Sequence, residues 1–185
     1  NRIVIDNDRS TNDSLFLLAN GTSGVKLAPG LPGWDDFCDA VKAVCLCLAK
    51  QHVMDGEGVS KFVTLNVTGA KSASDAQIVA RSIARSMLVK TSWYGTDPNW
   101  GRVICAVGYS GVEVEESRIT ISYDGIPAFN KGEVATNKTL ATLKEAMQKR
   151  SFTIDIDLGM GNDSCTIYTS DLTHEYVNIN ADYTT

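Results

Sequence analysis

Two groups of acidic side chains are placed where they could do chemistry. Asp55 and Glu57 alternate with glycines in Asp55-Gly56-Glu57-Gly58, and Asp6, Asp8 and Asp13 crowd the run Asp6-Asn7-Asp8-Arg9-Ser10-Thr11-Asn12-Asp13. Glycines on both sides of Glu57 permit tight backbone turns and leave its carboxylate free to point into a cleft. A solvated loop acid is the plainer reading of that carboxylate, and one turned into a cleft the alternative. The first cluster offers oxygens to a hard cation, but its spacing does not match a twelve-residue calcium loop closed by Glu, so an Asx-rich turn is the reading taken.

Other reactive types form no constellation. Cys45 and Cys47 are two apart on a predicted helix and do not share a face, so they make no tetrahedral metal site by themselves; Cys45 reads as a small core residue. Cys38, Cys45, Cys47, Cys105 and Cys165 are odd in number and spaced without a framework, which suits reduced cysteines. His52 and His174 have no neighbouring ligands, and no Gly-X-Ser-X-Gly nucleophile elbow occurs. Gly159-Met160-Gly161 does not complete a dinucleotide loop and reads as a hairpin or loop. No metal or cofactor site is expected.

The elements that must hold these groups follow from periodicity. Arg2 to Ile5 reads as a strand. The apolar run Leu15-Phe16-Leu17-Leu18-Ala19 suggests a buried strand or helix turn closed by Asn20-Gly21, and residues 22–33 an irregular loop. From Trp34 to about Val53 the spacing is helical, with Phe37, Val41, Val44, Cys45 and Leu48 on one face. Residues 61–69 alternate as a strand with Val63, Leu65 and Val67 inward. Ser72 and Asp75 resemble a capping box before a helix with Ala76, Val79, Ala80, Ile83 and Met87 on one stripe, ending near Thr91. Asp97-Pro98 makes a turn in which Trp100 packs and Arg102 anchors a carboxylate, ahead of a strand over 103–108. Then come a hairpin turning at Asp124-Gly125, a helix marked by Leu140, Leu143 and Met147, an alternating strand over 152–158, and two further strands at 164–169 and 176–182. The order implies an α/β layer arrangement with antiparallel or mixed pairing open, and a soft boundary near residue 112 before a small mixed α/β unit.

Composition excludes several classes. With 17 Lys+Arg against 22 Asp+Glu the formal charge is −5, and no basic block exists, so the footprint of a nucleic-acid binder is missing. No apolar stretch approaches a membrane span.

Longer strings narrow the function. Ser10-Thr11-Asn12-Asp13, Asp55-Gly56-Glu57-Gly58, Asp97-Pro98-Asn99-Trp100-Gly101-Arg102, Ser170-Asp171-Leu172-Thr173-His174 and Asn178-Ile179-Asn180-Ala181-Asp182-Tyr183 occur in this order. Together they resemble the ornithine acetyltransferase family, the arginine-pathway enzymes also called bifunctional glutamate N-acetyltransferases, over essentially the whole chain. The resemblance implies an α/β fold with mixed sheets: a layered αββα-type portion over residues 1–112 and a smaller mixed α/β domain over residues 113–185, its tail reaching the active site. It also implies transfer of an acetyl group from N-acetylornithine to glutamate through an acetyl-threonine intermediate. The polypeptide would be made as a precursor that cleaves itself, leaving a cytoplasmic heterotetramer of two α and two β chains.

This chain would then be the larger part of a β chain whose nucleophilic threonine lies before Asn1, and Thr11 is not that residue. Carried over residue by residue, Glu57 resembles the family's active-site glutamate, which could bind an ammonium group or assist proton transfer, Asn180 its terminal substrate-binding asparagine and Thr185 a further residue lining the site; residues 97–102 either shape a wall of the same cavity or serve structure alone. No cofactor is implied, and acetyl-CoA as an additional acetyl donor stays open. Arg9 and Thr184 depart from the family pattern, altering charge beside recognisable motifs. A noncatalytic homologue and an N-terminal-nucleophile hydrolase are the rival readings.

Overall fold

Nine residues near the middle of the chain organise everything around them. In the computed structural model, which describes residues 2–182, Phe62–Ala70 form strand β2, with Val63, Leu65 and Val67 fully buried on one face. The other strands are β1 (Ile3–Val4), β3 (Thr120–Tyr123), β4 (Ile126–Asn130), β5 (Glu133–Val134), β6 (Ser151–Asp157) and β7 (Asp163–Ser170). They form one mixed seven-stranded sheet in the order β1-β7-β2-β6-β3-β4-β5. β2 pairs parallel to β6, with Leu65 opposite Ile154, and antiparallel to β7, with Leu65 opposite Ile167. This register puts Val63, Leu65 and Val67 on the same side as Phe152, Ile154, Ile156 and Ile167, while Phe62 and Tyr168 stack on the other face.

That side is covered by helices α2 (Ala73–Arg85), α4 (Trp100–Gly108) and α5 (Asn137–Gln148), while α1 (Trp34–Met54) lies against β1 and β7. The mixed α/β class is the one read from the sequence; among the described residues the layering comprises one sheet. The expected boundary near residue 112 does not divide that sheet. β7, from the end of the chain, inserts between β1 and β2, because its inward residues Ile167 and Thr169 complete the same buried face.

Capping decides where the helices start. Ser72 Oγ accepts the Asp75 amide at 3.1 Å, as the capping box predicted, and Ala76, Val79, Ala80 and Ile83 are buried in one stripe. The helix does not run on to Thr91. It breaks at Ser86, which turns to extended backbone and caps α3 (Met87–Tyr94) by accepting the Val89 amide at 3.3 Å. Met87 consequently leaves the stripe and is 72% exposed.

Two runs expected as strands are helices. Asn99 caps α4 through the Arg102 amide at 3.1 Å, and Val103, Ala106 and Val107 are buried at helical spacing. A short, wholly apolar run fits either state, and the cap settles it. Trp100 does pack, stacking on Phe129 at 5.0 Å between centroids. Among the described residues Arg102 pairs with no carboxylate, however; its Nη1 donates to the Leu88 carbonyl at 2.7 Å, tying α4 to the start of α3. The second case is α6 (His174–Asp182), whose alternating apolar residues resemble a strand until the cap at Thr173 is taken into account.

The N-terminal stretch departs furthest from expectation. Residues 14–20 form no helix or strand, and Leu15, Phe16, Leu17 and Leu18 are 75–89% exposed. Likewise α1 has the predicted span, but Phe37, Val44 and Leu48 are exposed and Cys45 is no core residue. No helix of the described residues is long and apolar enough to cross a membrane.

Candidate functional site

The site begins as the end of a helix. Past Met54, the Asp55 amide donates to the Gln51 carbonyl at 2.9 Å and the Gly56 amide to the Val53 carbonyl at 3.3 Å, satisfying the last carbonyls of α1. The Val59 amide then donates to the Gly56 carbonyl at 3.1 Å, which folds residues 56–59 into a tight turn with Glu57 exposed at its tip. Gly58 has φ +63°, and a Cβ there would stand 2.6 Å from the backbone nitrogen of Tyr176 in α6. The second glycine is thus required twice, by its left-handed backbone and by the close approach of the helix.

A buried strap of residues 170–173 brings α6 to that turn. Lys90 Nζ donates to the Ser170 carbonyl and, at 3.3 Å, to the Thr169 and Ser170 hydroxyls. Burial pushes its pKa down to about 8, against the attraction of Asp171 and Asp6. Asp171, 4% exposed, accepts the Ser60 and Lys61 amides at 3.0 Å each and the Ser60 hydroxyl. Lys61 in turn donates to the carbonyls of Met147, Gln148 and Lys149 at 2.9–3.1 Å, closing the C-terminal end of α5. The string Ser170-Asp171-Leu172-Thr173 is therefore a structural joint between the sheet and α6.

α6 then meets Glu57. Asn180 Nδ2 donates to Glu57 Oε2 at 2.8 Å and to the Tyr176 carbonyl one turn back at 2.9 Å, so neither bond uses the amide oxygen of Asn180. One turn earlier, the Tyr176 hydroxyl donates to Asp6 Oδ2 at 2.9 Å. Desolvation, the hydrogen bond to Asp6 and the charges of Asp6, Asp8 and Glu57 together push the Tyr176 phenol up to about 12, so it is a donor and not a base. Asp6 also takes the Asp8 amide at 2.9 Å, and Ser10 takes the amides of Asn12 and Asp13 at 3.3 and 3.0 Å. The acidic N-terminal run is the locally bonded turn that the sequence predicted.

Together these segments line an open cleft of about 1210 Å³. Its acids are Asp6, Asp8, Asp13, Asp55 and Glu57; its bases are His52 and Arg9 together with Arg81 and Arg85 from the polar face of α2. The structure thus joins the two acidic groups that the sequence separated, and brings Asn180 to Glu57. Thr185 lies outside the described residues. Sequence reasoning missed Tyr176, Arg81 and Arg85. Both pairs are spaced i, i+4: Tyr176 with Asn180 would have marked a shared face had residues 174–182 been read as a helix, whereas Arg81 with Arg85 already shared the polar face of a predicted helix and lacked only a sign of what that face meets.

Chemically, this cleft suits a zwitterion. A carboxylate with an amide donor beside it can take an ammonium group, and guanidinium groups in the same lining can take a carboxylate. Among the described lining residues the hydroxyls are those of Ser10 and Tyr176, and neither has a basic partner: Ser10 donates to the side-chain Oδ1 of Asn12 at 3.0 Å and Tyr176 to a carboxylate. No group of three or more potential metal ligands occurs among the described residues. His174 lies away from the cleft, edge-on to Tyr94 with 5.4 Å between ring centroids.

Known proteins share both the sequence and the shape. A glutamate N-acetyltransferase of Methanosarcina mazei is 45% identical over 189 residues, covering 100% of this chain and 47% of its own length. An arginine biosynthesis bifunctional protein ArgJ of Geobacter sulfurreducens is 44% identical over 186 residues, again covering 100% of this chain and 47% of its own. The chain therefore spans about half the length of these relatives. A crystal structure of the arginine biosynthesis bifunctional protein ArgJ of Bacillus halodurans superposes with a TM-score of 0.90 at 39% identity, covering 98% of this chain and 86% of that one. The ArgJ family description matches residues 1–185 without a gap at either end, so the turn at Glu57, the strap and α6 all fall inside it, and the chain belongs to the ArgJ family.

Proposed function

We propose that this chain is the substrate-binding part of the β chain of a glutamate N-acetyltransferase of arginine biosynthesis, moving an acetyl group from N-acetylornithine to glutamate. The observation that carries the reading is the 2.8 Å pair of Glu57 and Asn180, residues 123 positions apart, at a cleft whose walls carry both signs of charge. Both substrates are amino acids bearing opposite charges. Glu57 takes an ammonium group or moves a proton, Asn180 orients the same substrate through its amide, and Thr185 is a further substrate-binding residue.

The reaction is an acyl exchange on a threonine hydroxyl that residues 1–185 do not supply. That oxygen attacks the acetyl carbonyl of N-acetylornithine, and the amide C–N bond breaks as ornithine takes up a proton. The glutamate amine then attacks the acetyl ester, and the threonine oxygen recovers its proton. No cofactor takes part, and acetyl-CoA is a second donor to be tested.

The partner is an α chain cut from the same precursor, in a cytoplasmic assembly of two α and two β chains. The exposed apolar side chains of residues 15–18 and of α1 favour such a partner, since patches of this kind are ordinarily covered.

The test is to incubate the complete protein with N-acetylornithine and labelled glutamate. Label recovered in N-acetylglutamate supports the reading, release of acetate alone points to a hydrolase, and no turnover points to a noncatalytic homologue. In Glu57→Gln, loss of a charge-assisted contact lowers kcat/KM by about 10- to 100-fold. Because Glu57 is exposed at a turn, circular dichroism and the melting temperature stay as in the wild type.

A further inference from the structure

Glu57 and Asn180 sit on separate elements, and their pairing needs something to fix α6 against the turn. One buried hydroxyl makes both connections. Thr173, 5% exposed, donates through Oγ1 to the Gly58 carbonyl at 2.8 Å and accepts the Tyr176 amide at 3.1 Å. The first bond holds the residue after Glu57. The second caps the helix that carries Asn180, since Tyr176 is the third residue of α6.

Thr173 is buried and is not itself among the residues lining the cleft. Its own position is set by the strap, with Asp171 held by the Ser60 and Lys61 amides and the Leu172 amide donating to the Lys90 carbonyl at 3.3 Å. From the opposite side Gly58 admits the helix backbone where any Cβ would collide. The joint therefore has one hydroxyl, one glycine and a rigid support, and its output is the distance between Glu57 and Asn180.

We propose that Thr173 is a positioning residue, which sets the Glu57–Asn180 pair by hydrogen-bonding the turn and the helix at once. The inference deepens the functional reading given above and rests on it for the kinetic part of its test.

In the complete protein, Thr173→Val keeps the shape of the side chain and removes both bonds, whereas Thr173→Ser keeps the hydroxyl. A misplacement on the order of an ångström costs up to about 100-fold. Thr173→Val is expected to lower kcat/KM by about tenfold or more, chiefly through KM because the displaced groups bind substrate, and Thr173→Ser to restore it to within about threefold. On an Asn180→Ala background, Thr173→Val should then cost clearly less than it does alone, because one member of the pair it sets is already gone. Wild-type KM in Thr173→Val, or a full multiplicative loss on the Asn180→Ala background, overturns the proposal.

Hydrogen exchange separates this outcome from failure of the functional reading. If the wild-type protein transfers no acetyl group, the functional reading fails, and amide exchange decides the joint. Faster exchange at residues 56–59 and 176–180 in Thr173→Val but not in Thr173→Ser supports it; equal exchange in all three proteins overturns it. Should Thr173→Val not fold, Gly58→Ala opens the same joint from the other side. It is then expected to reproduce the KM loss, and a wild-type KM there overturns the proposal.

Discussion

The stretch from Asp6 to Met54 and the sheet from Phe62 to Ser170 are both rich in apolar residues, yet they use them in opposite ways. In the sheet Leu65, Ile154, Ile156 and Ile167 are fully buried against α2 and its neighbours. In the earlier stretch Leu18 is 89% exposed and Phe16 79%, although their local sequence is as apolar as that of any strand. The difference lies in the partners. β2 has β6 on one side and β7 on the other, whereas residues 14–20 pair with no strand among the described residues. An apolar run becomes a strand only where a ladder and a facing layer exist for it. Half of the site nevertheless depends on the poorly covered stretch, because Asp6 and Glu57 stand at its two ends.

The comparison breaks most readily in the sheet. Leu65→Ala removes a fully buried side chain between Ile154 and Ile167 and is expected to cost about 2–5 kcal/mol, read as a drop in the denaturant midpoint of the complete protein. A cost below about 1 kcal/mol would mean that the sheet is no better packed than the stretch before it.

A second test uses the buried cation in the sheet half. Lys90 has a folded pKa of about 8, below the ordinary lysine value, so between pH 8 and about 10 the unfolded chain binds more protons than the folded one. Stability is therefore expected to rise with pH across that window, by on the order of 2 kcal/mol. Above about pH 10 the trend reverses, because burial raises the phenols of Tyr123 and Tyr176 and the unfolded chain loses those protons first. Chemical denaturation at intervals of pH reads the slope. In Lys90→Met the rise should flatten, and a slope unchanged by that substitution would place its origin elsewhere.

How much of this could be read from the sequence follows the same divide. β2, β6, the Ser72 cap and the hairpin at Asp124-Gly125 were legible because alternation, caps and turn residues are local signals. Residues 103–108 and 176–182 read as strands because short apolar or alternating runs fit both states, and the deciding groups, Asn99 and Thr173, lie outside them. The flanking glycines marked Glu57 as an exposed turn acid, and its assignment to a site, like that of Asn180, came only by resemblance. Their pairing was not legible at all, since it depends on a strap whose contacts reach Ser60, Lys61 and Lys90 across the fold. The exposure of α1 was hidden for another reason: its periodicity reports an apolar face without saying which chain covers it.

The smallest effect expected from a substitution is also the one that sharpens the comparison most. Leu18→Ser in this 185-residue chain removes a side chain that is 89% exposed, so its stability should change by less than about 0.5 kcal/mol. In the complete protein the same substitution should lower stability or loosen assembly, because there the residue is proposed to lie against the α chain and loses its transfer free energy of about 2 kcal/mol. Thermal melts of both proteins, with light scattering to follow assembly, give the two numbers. If both are small, Leu18 faces solvent in the assembly too, and the apolar run needs another explanation. If both are large, the stretch is already packed within this chain, and its contrast with the sheet disappears. Only a small loss in one and a large loss in the other keeps the two regions distinct, with one stabilised from within and the other from outside.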